Sequence, residues 1–442
     1  MRAFTLILAA VLGTVLTGAA PATGGAAPDA RCQHASTVVV PGAEHVESAC
    51  LDDLTTAGTV HTGHTVPADY AGLAASATRN PSGVPGLQLD GYFPDDSHTN
   101  TNHGWNHDAQ FVIRLPQHWN GGLVVTGAPG NRRQYALDST ISDWVLAQGY
   151  AFAATDKGNT GTSFYSDNPH PGDAVAEWND RVTQLTVAAK AAVASQYHRA
   201  PKRTIAAGLS NGGYLVRWQL ENHPELYDGG VDWEGTLWLP DGPNLFTYLP
   251  TAMREYPSYA ATGDPVAHQK MLAAGFAPGS EFLWPFHDRV YWGLTQRIYR
   301  QVFDPGYTGA EADYNYASRP EAVHDAVARV SLTGNIRKPL LTLQGTLDTL
   351  LPISTDSDVY ARMIGEQDRA AMFRYYRIVD GNHTDGLYDQ FPDRLRPILP
   401  CFRTAFSALE SWVEHGTPPP PSTTVPRPAA TSDVVNTCSL TP

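Results

Sequence analysis

Residues Arg203 to Tyr214, R-T-I-A-A-G-L-S-N-G-G-Y, constrain the fold of this chain more than any other stretch. Thr204 to Ala207 is a short apolar run suited to a strand. It breaks into Gly208-Leu209-Ser210-Asn211-Gly212, and a helical pattern begins near Gly213. A strand, a sharp turn and a helix, with a glycine two places to either side of a serine, is the layout of a nucleophile elbow. Glycine at 208 and 212 spares the turn a side chain that would strike the adjoining strand or helix, and the tight bend lifts the serine hydroxyl clear of the backbone. The first N–H groups of the helix have no partner within it, so they are free to donate to an oxyanion forming beside Ser210.

The chain around the elbow alternates short apolar runs with helical patterns, the mark of a mainly parallel sheet with crossover helices. Phe111–Leu115, Gly122–Thr126 and Tyr150–Thr155 read as strands before the elbow, with a short helix over Thr140–Gln148. A long helix capped by Asp173 carries Trp178, Val182, Leu185 and Ala189 at helical spacing. Beyond the elbow, Gly229–Val231 with Trp233, then Pro339–Gln344 and Phe373–Val379, read as strands, and Pro397–Glu414 as a closing helix. Between Trp233 and Pro339 the strand-and-helix rhythm lapses and aromatic residues crowd in, among them Trp238, Phe246, Tyr248, Trp284, Tyr291, Trp292 and Tyr299. This segment is expected to form a lid over a substrate cleft, with most of its rings filling the lid's own core.

The predicted class is therefore α/β, a central sheet flanked by helices with a large aromatic-rich lid insertion. The expected organisation is a signal peptide at residues 1–27, an N-terminal extension lying on the core at 28–109, and a first core part at 110–235. The lid at 236–336, a second core part at 337–415 and a Pro/Thr-rich tail at 416–442 follow. Arg2, the apolar run Phe4–Leu16 and the small residues Gly18–Ala27 suit export, and the run is short against the roughly 20 residues a membrane span needs. A formal charge of −14 argues against nucleic acid or an anionic membrane as the main partner.

Four cysteines, Cys32, Cys50, Cys401 and Cys438, sit toward the two ends and suit disulfides in an oxidising compartment. Pairing Cys32 with Cys50 and Cys401 with Cys438 closes the shortest loops, while a bridge between the two ends is the other possibility. The cysteines lack the close spacing of a metal site. His98, His103 and His107 lie in a Gly- and Asn-rich stretch that disfavours the helix needed to converge them on a metal, so a polar loop is expected there.

Ser210, Asp348 and His383 fall after three predicted strands. In a parallel sheet the C-terminal strand ends share one edge, where residues remote in sequence meet. His383, in a Gly-Asn-His turn, would take the proton of Ser210, and Asp348, in Gly345-Thr346-Leu347-Asp348, would hold the imidazole in the productive tautomer. Asp380 and Asp385 lie too close to His383 along the chain for that task, and Asp356 and Asp358 lie farther from the strand end. The oxyanion donors are expected to be the N–H of Asn211 and one from Gly127-Ala128-Pro129-Gly130-Asn131. Pro129 has no N–H, and Gly130 is preferred to Asn131 because glycine lets the backbone approach closely.

The order Ser210, Asp348, His383 and the elbow resemble the α/β-hydrolase superfamily over roughly Gln110 to Trp412. Ala154-Thr155-Asp156-Lys157-Gly158, Ser210-Asn211-Gly212-Gly213 and Leu51-Asp52-Asp53-Leu54 resemble secreted 3-hydroxybutyrate oligomer hydrolases. The layout of elbow, large lid, Gly-x-x-Asp and late histidine is also similar to the tannase and feruloyl esterase group, which carries cysteines beside nucleophile and base where this chain has Leu209 and Asn382. The resemblance implies hydrolysis of a small or oligomeric carboxylic ester through an acyl-enzyme, without cofactor or metal. A peptidase of the same fold is the competing reading, with Asp232, Glu234 or Asp241 as an anchor for a substrate amino terminus. A binding module would have no need of all three residues of the constellation.

Overall fold

The strands fall where the apolar runs fall, because a strand covered on both faces is apolar along its whole length. In the computed structural model, which describes residues 38–95, 105, 109–164, 170–429 and 432–441, ten strands form one sheet. They are β1 (His45–Leu51), β2 (Gly86–Tyr92), β3 (Gln110–Pro116), β4 (Gly122–Gly127), β5 (Ala151–Thr155), β6 (Arg203–Leu209), β7 (Gly229–Trp233), β8 (Leu340–Gly345), β9 (Phe373–Ile378) and β10 (Thr423–Val425). Their spatial order is β1-β2-β3-β5-β4-β6-β7-β8-β9-β10. From β5 to β10 every neighbouring pair is parallel, while β1, β2, β3 and β5 pair antiparallel. This is an α/β-hydrolase-type sheet with the elbow strand β6 at its middle.

Side chains alternate between two cores, one on each face of the sheet. Leu123, Val125 and Ala206 pack with the helices Asp173–Tyr197 and Asn211–Asn222. Val124, Ile205 and Leu209 pack on the opposite face with the helix Leu399–His415.

Several sequence expectations need correction. The segment read as an extension lying on the core instead lengthens the sheet edge to edge, because β1 and β2 form an antiparallel ribbon in full register with each other and with β3. Gly91 sits where a Cβ would meet the carbonyl of His45 at 2.3 Å, so the strand looks weak in sequence because close packing demands glycine. In the tail, Thr423–Val425 pairs with β9 and adds a parallel strand, so Cys438 is not the only fastening. Asp173 is the first residue of its helix rather than the cap, which is Gly172, and the elbow helix begins at Asn211, two residues earlier than its pattern suggests. The helix expected over Thr140–Gln148 begins as a wider turn at Asp138–Ser142 and becomes α-helical only at Asp143–Ala147.

Cys401 and Cys438 are joined, and Cys50 is also disulfide-bonded; Cys32, the signal-peptide region and the cluster His98, His103 and His107 lie outside the described residues. No described helix is long and apolar enough to cross a membrane.

Between β7 and β8 the described chain forms no strand. Its helices include Leu245–Thr262, Pro265–Ala273, Gly293–Phe303 and Glu321–Ala328. Most rings of this segment are core: Trp238 packs against Phe303 and Tyr299 at centroid distances of 4.9 and 5.3 Å, and Tyr256 against Trp292 at 5.6 Å. Their geometry is tilted or edge-on, as aromatic quadrupoles favour.

Candidate active site

The elbow is built by exclusion of side chains. A Cβ on Gly208 would lie 2.2 Å from the carbonyl oxygen of Gly212, and one on Gly212 would lie 2.4 Å from that of Gly127. Gly213 is equally confined, with Asp232 Oδ1 and Gly235 Cα at 2.4 and 2.7 Å from its ideal Cβ. Ser210 itself holds φ 59° and ψ −121°, a region that costs a non-glycine residue on the order of 1–3 kcal/mol and that persists only under constraint. Its N–H donates to the carbonyl of Trp233 (2.9 Å), which ties the strained residue to the end of β7.

Three strand ends deliver the expected side chains to one point. His383 Nε2 lies 3.0 Å from Ser210 Oγ, and Nδ1 lies 2.9 Å from Asp348 Oδ2. Asp348 is held rigidly: Oδ1 accepts the N–H groups of Leu350 and Leu351 (2.8 and 2.9 Å), and Oδ2 also receives Gln344 Nε2 at 3.3 Å. Four donors thus converge on this one carboxylate, fixing its orientation. The competing aspartates are occupied elsewhere. Asp385 caps the N–H groups of Ile398 and Leu399, Asp356 pairs with Arg217, Asp358 with Arg377, and Asp380 with Arg427.

The loop expected to supply an oxyanion donor is anchored through the carbonyl of Gly130. Gly130 O receives Lys157 Nζ (3.0 Å) and Asn211 Nδ2 (3.2 Å), and Asn211 Nδ2 also donates to Tyr299 Oη (2.6 Å). Lys157 is buried with its ammonium 5.0 Å from the centroid of Trp178. Gly130 and Asn211 both line the cleft with Ser210 and His383. Among the described residues, neither N–H donates to a protein acceptor. Gly130 holds φ +51°, the left-handed region that favours glycine, and no described protein atom beyond its chain neighbours lies within 4 Å of its ideal Cβ.

The cleft has a volume of about 270 Å³. One wall comes from the helical segment, with Leu245, Tyr291, Leu294, Ile298 and Tyr299, and Arg132 and Phe164 also line the cleft. Among the described residues, no aspartate or glutamate lines it. Asp232 is paired with Arg217, Glu234 lies behind His383, and Asp241 lines a separate cavity, so none of the three expected anchors for an amino terminus stands in this cleft.

Sequence reasoning named Glu234 only as a possible anchor for a substrate amino terminus and missed its place behind His383. Its Oε2 lies 3.4 Å from His383 Nδ1, and its Oε1 accepts the N–H of Gly345 at 2.6 Å. Burial, and then the charge of Asp348, raise its pKa well above the usual carboxylate range. Glu234, Asp348 and His383 offer ligand atoms within 4.8 Å of one another. Those atoms already face each other and backbone N–H groups, and Nε2 is turned to Ser210. The available signal for Glu234 was its place immediately after β7, the strand beside the elbow.

Comparison with known proteins follows this geometry. A family model described as "Tannase and feruloyl esterase" matches residues 97–232, and one described as "3HB-oligomer hydrolase (3HBOH)" matches residues 302–441. A D-(-)-3-hydroxybutyrate oligomer hydrolase of Ralstonia nicotianae is 31% identical over 135 residues, covering 27% of this chain and 19% of that protein. A mono(2-hydroxyethyl) terephthalate hydrolase of Piscinibacter sakaiensis is 31% identical over 143 residues, covering 29% of this chain and 23% of that protein. The aligned part is thus about a fifth of the length of these curated relatives. Feruloyl esterase B from Aspergillus oryzae superposes with a TM-score of 0.55 at 14% identity, over 88% of this chain and 91% of that one. The chain therefore has the α/β-hydrolase fold and resembles the tannase and feruloyl esterase family in its first half and the 3-hydroxybutyrate oligomer hydrolases in its second.

Proposed function

We propose that this protein is a secreted serine carboxylic-ester hydrolase acting through an acyl-enzyme on Ser210. The observation that carries this reading is the unbroken contact from Asp348 through His383 to Ser210, at 2.9 and 3.0 Å, opening onto an apolar cleft. Ser210 Oγ attacks the ester carbonyl carbon while His383 Nε2 takes the hydroxyl proton, and the Nδ1–H remains directed at Asp348. The carbonyl oxygen becomes an oxyanion that accepts from the N–H of Asn211 and of Gly130. Collapse breaks the ester C–O bond, and His383 returns its proton to the departing alcohol. A water activated by the same histidine then releases the acid and restores Ser210.

The apolar wall suits a bulky ester, and the similarity to 3-hydroxybutyrate oligomer hydrolases makes hydroxyalkanoate oligomers the first substrate class to test. Phenolic esters are the second reading, favoured by the match of residues 97–232 and by Phe164, Tyr291 and Tyr299 around the cleft. Export is supported by the apolar N-terminal run and the disulfide of Cys401 with Cys438.

Labelling with a fluorophosphonate followed by peptide mapping is expected to modify Ser210. Ser210→Ala should abolish labelling and lower turnover by about 10⁶-fold with the melting temperature nearly unchanged. Labelling at another residue sinks the assignment. Hydroxybutyrate oligomers compared with feruloyl and galloyl esters decide between the two substrate classes.

A further inference from the structure

Two carboxyl groups, not one, converge on the far nitrogen of His383. Asp348 Oδ2 lies 2.9 Å from Nδ1 and Glu234 Oε2 lies 3.4 Å from it, and both side chains are wholly buried at the ends of adjacent parallel strands. Their surroundings differ. Asp348 collects donors from Leu350, Leu351, Gln344 and His383, whereas Glu234 has one N–H, from Gly345, on Oε1, and its Oε2 has no hydrogen-bond partner. The other charged groups near Glu234 are Asp385 and Asp232, both acidic, and the nearby guanidinium of Arg217 is taken by Asp232 and Asp356. Two anions cannot share this dry space without a cation between them, so the better-solvated carboxyl carries the charge and the other keeps its proton.

Glu234 is also held there at a cost. It adopts φ 52°, a conformation disfavoured for a side chain of its length, and its N–H donates to the carbonyl of Leu343 at 2.9 Å. A residue needed only to satisfy the Gly345 N–H could be a glutamine.

We propose that Glu234 is a second acid of the site: a positioning residue that stays neutral behind His383 while Asp348 bears the charge, and that ionises to orient Nδ1–H when Asp348 is neutralised. As the imidazolium forms during attack, its positive charge faces two carboxyl groups: Asp348 Oδ2 accepts from Nδ1–H and bears the charge, while Glu234 Oε2, which holds the retained proton, lies 3.4 Å from the same nitrogen. No proton beyond that of Ser210 has to move. The proposal rests on the serine-hydrolase reading above.

The test is a double-mutant cycle of Asp348→Asn and Glu234→Gln, read as kcat and as a pH profile of kcat/KM. An aspartate-to-asparagine change in a triad with a single acid costs about 10⁴-fold. Here Asp348→Asn is expected to cost about 10²-fold, because removing the neighbouring charge lets Glu234 ionise. Glu234→Gln alone, which keeps an acceptor for Gly345, should cost about threefold to tenfold, and the double variant should fall by the full factor of about 10⁴. Asp348→Asn should show a limb in its pH profile, activity rising as Glu234 ionises, that the double variant lacks. Equal activity of Asp348→Asn and the double variant overturns the proposal. So does a profile of Asp348→Asn without the limb, a measurement that does not depend on the double variant folding. Fluorophosphonate labelling of Ser210 in the wild type separates the two failures: if Ser210 is labelled and the cycle is additive, only the role of Glu234 is lost.

Discussion

Asp232 and Glu234 stand two residues apart at the end of β7, both fully buried, and they meet opposite fates. Asp232 is saturated: Oδ2 pairs with Arg217 Nε at 2.6 Å and accepts from Thr342 Oγ1 at 2.9 Å, and Oδ1 accepts the N–H of Gly235 at 2.8 Å. Arg217 goes on to Asp356 Oδ1 (2.8 Å) and Ser357 Oγ (2.7 Å), so one guanidinium closes two carboxylates with no oxygen of Asp232 left bare. Glu234 has no guanidinium and one bare oxygen aimed at an imidazole. A buried charge with permanent partners serves the architecture. A buried carboxyl whose only potential cation is a histidine that becomes charged during a reaction serves that reaction.

Removing the permanent partner is the strongest way to break this contrast. Arg217→Met would strand Asp232 and Asp356 without a cation, and a loss of about 3–5 kcal/mol in unfolding free energy is expected from denaturant titration. The protein that remains folded should still label at Ser210; if the stability loss were under about 1 kcal/mol, the saturated cluster would not be the support argued for it. Lys157→Met tests a cation placed between the two cases, one that donates to the carbonyl of Gly130 rather than to a carboxylate. Loosening the loop of Gly130, the oxyanion donor in the mechanism proposed above, should lower kcat about tenfold, with a smaller effect on melting than Arg217→Met. An unchanged kcat would remove Lys157 from the account of the site.

Asp143 sharpens the comparison from the other side, being a buried carboxyl with neither a guanidinium of its own nor a histidine in hydrogen-bonding contact. It accepts the N–H of Thr56 at 2.8 Å and the Thr56 hydroxyl at 2.5 Å, and burial raises its pKa to about 7. The folded chain therefore keeps a proton that the unfolded chain releases near pH 4. Its contribution to stability is complete below about pH 4 and is lost as pH rises through about 7. Asp143→Asn cannot titrate, so relative to wild type it should gain on the order of 1 kcal/mol between pH 5 and pH 8, read from paired melting curves. A pH-independent difference would mean that Asp143 is ionised throughout.

The legible parts of this molecule share a physical property. Ser210 announces itself because strain needs glycines at fixed offsets, and each of those glycines proves to be pressed against backbone at 2.2 to 2.4 Å. Asp348 and His383 are found because parallel strands open on one edge, so a polar residue just past an apolar run has few places to go. β1 and β2 were missed because Ser48, Gln88 and Gly91 break the apolar pattern: Gln88 is buried as an acceptor for Arg114 Nε at 2.9 Å, and Gly91 is demanded by the close approach of the His45 carbonyl. Asn211 was foreseen as a backbone donor, yet the tie its side chain makes between Gly130 and Tyr299 depends on a helix almost ninety residues away.

Periodicity and punctuation along the chain were enough to determine the sheet, the elbow and the order of the three side chains that meet at the strand ends, because each depends on local sterics and on the repeat of buried side chains. Tertiary structure alone decided which buried acid received a permanent cation and which was left facing an imidazole. That choice turns on distances between strand ends that no spacing in the sequence encodes, and on a local scarcity of positive charge that only packing creates.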